Sequence, residues 1–304
     1  MLPFKLVYSD AYDLNLGQHV FPTEKYRLIH DRLLWDGFAA DADFVAPEPA
    51  SDEQILLVHK PEWVNKLKTG SLTYFDIMKL EIPYSELMVN AFWLATGGTI
   101  LASRNALRDR IGFNIGGGYH HAFAGHGEGF CAIHDVAVAI RVLQREGAIQ
   151  RAMVVDCDVH HGNGTAGIFA ADPSVTTLSI HQFENYPTEK PPSTIDINLP
   201  DGVGDEEYLH ELEEDLVPGL SEFRPDIVMY IAGADPYRED QLGGLALTID
   251  GLRARDLLVL EAALGRGIPV SIALAGGYAR NTADTVTIHC NTAKVAKEVL
   301  DTIE

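Results

Sequence analysis

The chain has 304 residues, 46% of them hydrophobic and 9% aromatic, which is the composition of a globular protein and excludes a disordered one. Its 44 Asp and Glu against 23 Lys and Arg give a formal charge of −21, which repels phosphate backbones, argues against direct nucleic-acid binding and favours cationic substrates or peptides. No window approaches the roughly 18 consecutive apolar residues of a membrane span, and the N-terminus lacks the apolar stretch of a signal peptide. The scattered Cys131, Cys157 and Cys290 make no disulfide framework, so a cytoplasmic protein is expected.

Apolar runs alternate with amphipathic ones along the whole length. Leu6 to Tyr8 reads as a short strand, Glu24 to Leu34 as a helix, and Asp52 to Val58 as a short helix capped by Ser51 or Asp52. Glu86 to Leu107 reads as a long apolar helix whose Gly97-Gly98 pair allows close packing. Ile111 to Ile115 is a strand running into Gly116-Gly117-Gly118, and Phe130 to Gln144 is a helix. Arg151 to Cys157 is a strand of the kind buried on both faces, followed by a helix over Gly164 to Ala171. Strands are expected over Val175 to Ile180, Thr194 to Leu199, Asp226 to Ala232 and Val270 to Leu274. Helices are expected over the acidic Asp205 to Phe223, over Thr248 to Gly265 and over Thr285 to Asp301.

Strands alternating with helices imply a three-layer α/β/α fold with a mostly parallel sheet. No interior stretch is long and polar enough for a linker, so residues 1–304 read as one domain. Ligands in such folds gather beyond the carboxyl ends of strands. The polar exceptions sit there: His120-His121, Asp156 to His161, Asp235 and Tyr278.

Asp158 and His160 are two residues apart at a strand end, which puts both side chains on one face. Asp235, after another strand, supplies a second oxygen. Three protein ligands leave an open catalytic position that suits Zn2+, and Fe2+ or Co2+ accept the same donors. Read singly, Asp158 is also a favoured helix cap and Asp235 a favoured residue for a turn before Pro236.

Adjacent imidazoles at His120 and His121 suit proton transfer, and each needs an acceptor on its far nitrogen, for which Asp156 and Asn163 are the candidates. Tyr278, after Ala275-Gly276-Gly277, has a hydroxyl that can donate to a developing oxyanion. His181 follows a strand on the same rim and reads as a supporting residue of the site. His134 reads either as another such group or as an ordinary helix residue.

The Gly-Gly-Gly-X-His-His run at 116–121 and the Asp-X-Asp-X-His-His-Gly-Asn-Gly run at 156–164 together resemble the histone deacetylase superfamily, which has the arginase-like α/β fold. Asn163, Gly129-Phe130-Cys131 and Leu242-Gly243-Gly244 look like its class IV, histone deacetylase 11-like branch and bacterial relatives. The resemblance implies Zn2+ on Asp158, His160 and Asp235; His121 as general base aligned by Asn163; His120 paired with Asp156; and Tyr278 polarising the carbonyl. It implies a tunnel lined by Gly129, Phe130 and Gly276, and a structural K+ held by the Asp156 side chain and main-chain carbonyls near Asp158, His160, Ser179 and Ile180. The implied reaction is hydrolysis of the acylated lysine of a protein or peptide. The alternatives are an acetylpolyamine or other small cationic acylamide as substrate, and a non-catalytic acyl-lysine binding protein.

Overall fold

Most strand and helix boundaries follow from where the apolar runs and their caps fall. The computed structural model describes residues 1–303. In chain order the elements are β1 (Leu6–Val7), α1 (Lys25–Trp35), β2 (Phe44–Val45), α2 (Asp52–Ile55), α3 (Pro61–Thr69), α4 (Tyr74–Leu80), α5 (Glu86–Asp109) and β3 (Ile111–Asn114). Then come α6 (Asp135–Arg145), β4 (Ala152–Asp156), α7 (Asn163–Phe169), β5 (Val175–Gln182), β6 (Ile195–Leu199) and α8 (Asp205–Phe223). The last are β7 (Ile227–Ile231), α9 (Ile249–Leu264), β8 (Val270–Ala273) and α10 (Thr282–Ile303).

All eight strands are parallel and form one sheet in the order β2-β1-β3-β8-β7-β4-β5-β6. Every residue of β3, β4, β7 and β8 is buried, as expected where helices cover both faces. Helix α5 lies on β3 and β8 and packs against α6; α1, α10, α9 and α8 pack in succession, with α8 on β5 and β6. The result is the three-layer α/β arrangement expected from the sequence. Fully burying a Leu, Ile or Val contributes roughly 1.5–3 kcal/mol, and these layers bury them in every central strand. The Gly97-Gly98 pair is indispensable to that packing: a Cβ would sit 1.9 Å from Glu48 O at position 97 and 1.9 Å from Tyr12 Oη at position 98. Among the described residues no helix is long and apolar enough to cross a membrane.

One expectation needs correction, and three elements carry no assignment from the sequence. The stretch Phe130 to His134 is a loop, and α6 begins only at Asp135. Gly129 and Phe130 both have left-handed backbones, with φ of 49° and 66°, and their amides donate to Lys79 O and Leu80 O. A helix there would forfeit both bonds. Helices α3 and α4 were not anticipated, although Pro61 at the first turn, Gly70 at the end and a Thr73–Asp76 capping box mark their limits. Strand β2 is two residues long, too short for any period.

The strand ends are level. Pairing aligns Asn114 with Ala273, Ala273 with Ile231, Ile231 with Asp156, and Asp156 with Ser179. The loops after β3, β8, β7 and β4 therefore leave the sheet along one line, with β5 running on to Gln182, and the polar residues that follow those four strands meet there.

Candidate active site

The loop after β3 carries the histidine pair. Asp135 anchors it: its carboxylate accepts from Gly118 N and Tyr119 N at 2.9 Å each, and from Thr99 Oγ1 at 2.5 Å. His120 and His121 are thereby buried side by side, ring centroids 4.0 Å apart.

The two histidines have different partners. His120 Nδ1 lies 2.7 Å from Asp156 Oδ2, and its Nε2 lies 3.7 Å from Asp158 Oδ1. Burial alone would lower its pKa, but Asp156 and Asp158 outweigh burial and raise it to about 9. His121 Nδ1 lies 2.7 Å from Asn163 Oδ1, a neutral partner. Burial, with His120 and His160 beside it, holds His121 well below the ordinary histidine range. The two imidazoles are thus pushed in opposite directions, His120 up and His121 down.

Glu128 settles which way Asn163 faces. Its Oε1 accepts from Asn163 Nδ2 at 2.8 Å, so the amide oxygen must point at His121. His121 then donates from Nδ1 and keeps a lone pair on Nε2. Glu128 was not singled out in the sequence; a lone Glu in a loop has no distinguishing pattern.

Asp158, His160 and Asp235 are buried and each brings a ligand atom within 4.8 Å of the others. His160 Nδ1 is 3.0 Å from Asp158 Oδ1 and 3.4 Å from Asp235 Oδ2. Burial and the adjacent Asp158 push Asp235 up to about 7, while Asp158 and Asp235 overcome burial to raise His160 to about 10. Asp235 Oδ2 is buried with no hydrogen-bond partner. Two carboxylates crowded together, one oxygen orphaned, present a demand for positive charge that a divalent cation fits. The oxygen–nitrogen donor set suits zinc, iron or cobalt. Neither aspartate is a helix cap: Gly162 precedes α7, and Asp235 Oδ1 accepts from Val159 N at 2.8 Å, tying the β7 loop to the β4 loop.

Beneath this cluster lies Arg255, fully buried. Its Nη1 donates to Gly233 O at 2.6 Å and Cys157 O at 3.2 Å, and it pairs with Asp256 at 2.8 Å. It clamps the ends of β4 and β7 from below. Gly276 forms the floor. Its amide donates to Asp158 Oδ2 at 3.0 Å, and a Cβ there would fall 2.0 Å from Asp235 Oδ2, so only glycine fits.

Tyr278 follows, held by its backbone. Its amide donates to Asp240 Oδ2 at 2.7 Å, and its carbonyl accepts from Gln241 Nε2 at 2.8 Å. Its ring stands edge-on to His160 at 6.4 Å and to Phe130 at 6.0 Å. Burial, with Asp158 and Asp235 nearby, pushes its hydroxyl well above the usual phenol range, so it remains a proton donor. Asp240 is a further residue the sequence did not mark as part of the site.

Above the cluster a cavity of about 150 Å³ is lined by His121, Gly129, Phe130, His160, Tyr186 and Tyr278, with exposed Glu81 beside them. Gly129 and Phe130 form its wall as expected. Gly276 instead lines a smaller pocket further in, with His120, Asp158 and Ala275. Tyr186 stands edge-on to His121 at 5.0 Å and completes the wall. His134 is the cap of α6: its Nδ1 accepts from Ala137 N, and its Nε2 lies 2.8 Å from Thr165 Oγ1. His181 lies apart from the cavity, beside His161 with ring centroids 4.6 Å apart.

Known proteins share this arrangement of chain. The histone deacetylase domain family matches residues 19–293. An uncharacterised protein of the cyanobacterium Picosynechococcus is 40% identical over 297 residues, covering 97% of this chain and 99% of that one. Histone deacetylase 2 of Arabidopsis thaliana is 32% identical, covering 92% of this chain and 76% of its own. The crystal structure of the HDA15 HD domain superposes with a TM-score of 0.83 at 26% identity, covering 97% of this chain and 88% of that one. With a match running through nearly the whole sheet and every loop that carries the cluster, the chain belongs to the histone deacetylase family.

Proposed function

We propose that the chain hydrolyses the amide bond of an Nε-acyl-lysine, with a divalent ion, zinc by donor type, held by Asp158, His160 and Asp235. Family membership supports deacetylase activity in general. The observation that carries the finer reading is the Glu128–Asn163–His121 relay. It leaves the His121 Nε2 lone pair facing a narrow cavity beside the cation-binding cluster.

A bound divalent ion supplies Lewis acidity to a carbonyl and lowers the pKa of water. The chain's own groups do the rest. The acyl-lysine stem enters between Phe130 and Tyr186. Neutral His121 takes the proton of the attacking water at Nε2. The Tyr278 hydroxyl donates to the amide oxygen as negative charge develops on it. His120, whose pKa Asp156 raises, would bring positive charge beside the reacting carbon. The proton on His121 then passes to the departing amine, giving a carboxylate and a free lysine. Potassium belongs to the same proposal, on the Asp156 side chain with main-chain carbonyls near Asp158, His160, Ser179 and Ile180. Pairing of Asp156 with Ser179 across β4 and β5 supports that grouping.

Glu81 beside the cavity favours a second substrate, a cationic small acylamide such as an acetylated polyamine, whose distal ammonium it would pair with. One assay separates the two. Purified, metal-loaded protein is given acetyl-lysine peptide, long-chain acyl-lysine peptide and acetylpolyamine, and carboxylate release is measured. A kcat/KM at least about 10-fold higher on a peptide supports lysine deacylation; the reverse order moves the reading to the polyamine. No turnover on any substrate by zinc-loaded protein refutes both.

A further inference from the structure

We propose that His161, His181 and Asp196 form a second divalent-metal site, separate from the catalytic cluster, for a zinc-like transition ion. It lies at the β5–β6 edge of the sheet.

Neighbouring residues after β4 send their side chains to different places. His160 joins Asp158 and Asp235, whereas His161 joins His181 of β5 and Asp196 of β6. One ring nitrogen of each histidine and a carboxylate oxygen of Asp196 lie within 4.8 Å of one another. The sheet register builds this pair of ligands in. Asp196 is paired with Ser179, and Ser179 and His181 share a face because side chains alternate along a strand. Asp196 and His181 are therefore diagonal neighbours on one face.

Two of the three ligands, His181 and Asp196, are oriented from behind, as metal ligands are. His181 Nδ1 lies 3.3 Å from the Ser179 carbonyl oxygen and 3.0 Å from Ser179 Oγ. A carbonyl only accepts, so Nδ1 carries the hydrogen and Nε2 keeps its lone pair. Asp196 Oδ2 accepts from Ser193 N at 2.9 Å, which fixes the carboxylate and frees Oδ1. His161 Nε2 is 3.3 Å from that Oδ1, without hydrogen-bond geometry. Two ligands of a tetrahedral ion with bonds of about 2.1 Å stand about 3.4 Å apart, so this pair is already spaced for one. Ser193 Oγ, 3.3 Å from the same Nε2, is a ready fourth ligand.

Unpartnered atoms mark the spot. His181 Nε2 and Asp196 Oδ1 are buried without a hydrogen-bond partner, so two of the three members bring a spare atom to the cluster. The catalytic cluster shows the same signature at Asp235 Oδ2. The ammonium of Lys190, which acts on His181, is engaged elsewhere: it donates to the carbonyls of Asn185 and Pro187 at 2.7 and 2.5 Å. An entry path exists, because β6 is the edge strand and the Asp196 side chain is 24% exposed. Two imidazoles and a carboxylate select a borderline ion such as Zn2+ or Co2+ over Mg2+ or Ca2+.

The proposal does not depend on the substrate or reaction assigned above, and its test counts ions rather than turnover. The metal-free full-length chain is titrated with Co2+, following visible d–d absorption, and bound cobalt is measured after dialysis. Two equivalents are expected for the unaltered chain. Asp196→Asn and Asp196→Ala should each hold one, with affinity at the lost site down about 100-fold or more. Asp235→Asn should lose the other equivalent and keep the one at Asp196. A single equivalent in the unaltered chain that Asp235→Asn abolishes and both Asp196 variants keep overturns the proposal. A second equivalent that persists in both Asp196 variants overturns it as well, since the ion then sits elsewhere.

Discussion

Both ends of the sheet are hollowed. At the amino ends of β7 and β8 a depression of about 590 Å³ is lined by Ser221, Arg224, Asp226, Arg266 and neighbouring residues. At the carboxyl ends the cavity is about 150 Å³ and holds His121, His160 and Tyr278. The larger hollow has charges too, yet each is taken up by a structural bond. Arg266 Nη1 donates to Ala262 O, Arg224 Nε to Ser221 O, and Asp226 Oδ2 accepts from Gln150 N and Arg151 N at 2.8 Å. At the carboxyl ends the polar groups satisfy one another across loops and leave particular atoms spare: the His121 Nε2 lone pair and Asp235 Oδ2. Volume and charge do not distinguish a site from a crevice. Convergent groups with unspent valence do.

Substitutions at the carboxyl end should therefore strike turnover, and the largest loss belongs to the base. His121→Ala should lower kcat by about 10²–10⁴-fold with bound zinc unchanged, as measured by steady-state hydrolysis and metal analysis. Retention of full kcat would move the base elsewhere. Tyr278→Phe should cost about 10²–10³-fold, again in kcat and with the metal retained. Its ring packing against Phe130 and His160 survives in that variant, so stability should barely change. Glu128 acts through Asn163 and is a positioning residue, so its effect is smaller. Glu128→Ala should lower kcat about 10-fold with KM little changed, and Glu128→Gln, which keeps an acceptor for Asn163 Nδ2, should restore most of it. Equal losses in both variants would show that the Glu128 charge, and not its orienting bond, matters.

The contrast between what could and could not be read in the sequence has a similar physical basis. Asp158, His160, His120 and His121 stand in short runs beyond the ends of β4 and β3, where a parallel sheet gathers its loops, although they lie outside the strands and the loops, not strand alternation, set their direction. Strands β3, β4, β7 and β8 were legible because double burial demands unbroken apolar runs. Glu128, Asp240 and Arg255 were not, because what makes them matter is a partner 35, 38 or 98 residues away. The loop from Phe130 to His134 reads as helix for the same reason: its apolar pattern is local, while the amide bonds to Lys79 O and Leu80 O that hold it open are not. The His161–His181–Asp196 cluster was half visible, as a strand-end His181, but the register that brings Asp196 opposite Ser179 belongs to the sheet.

The smallest effect tests the quiet end of the sheet. Asp226 is exposed, and its carboxylate holds the amides of Gln150 and Arg151 at the start of β4 while its own amide donates to Arg151 O. Asp226→Ala leaves two strand-entry donors to water and should destabilise the fold by about 1 kcal/mol, a fall in Tm of about 2 °C. The site lies at the far end of β4 and β7, and the two ends share no bonded partner, so kcat/KM should stay within about twofold of the unaltered chain. Thermal melts and steady-state rates on the same preparation decide it. A large loss of turnover from this variant would mean that the level row of strand ends depends on how the strands begin, and the division between the two hollows would fail.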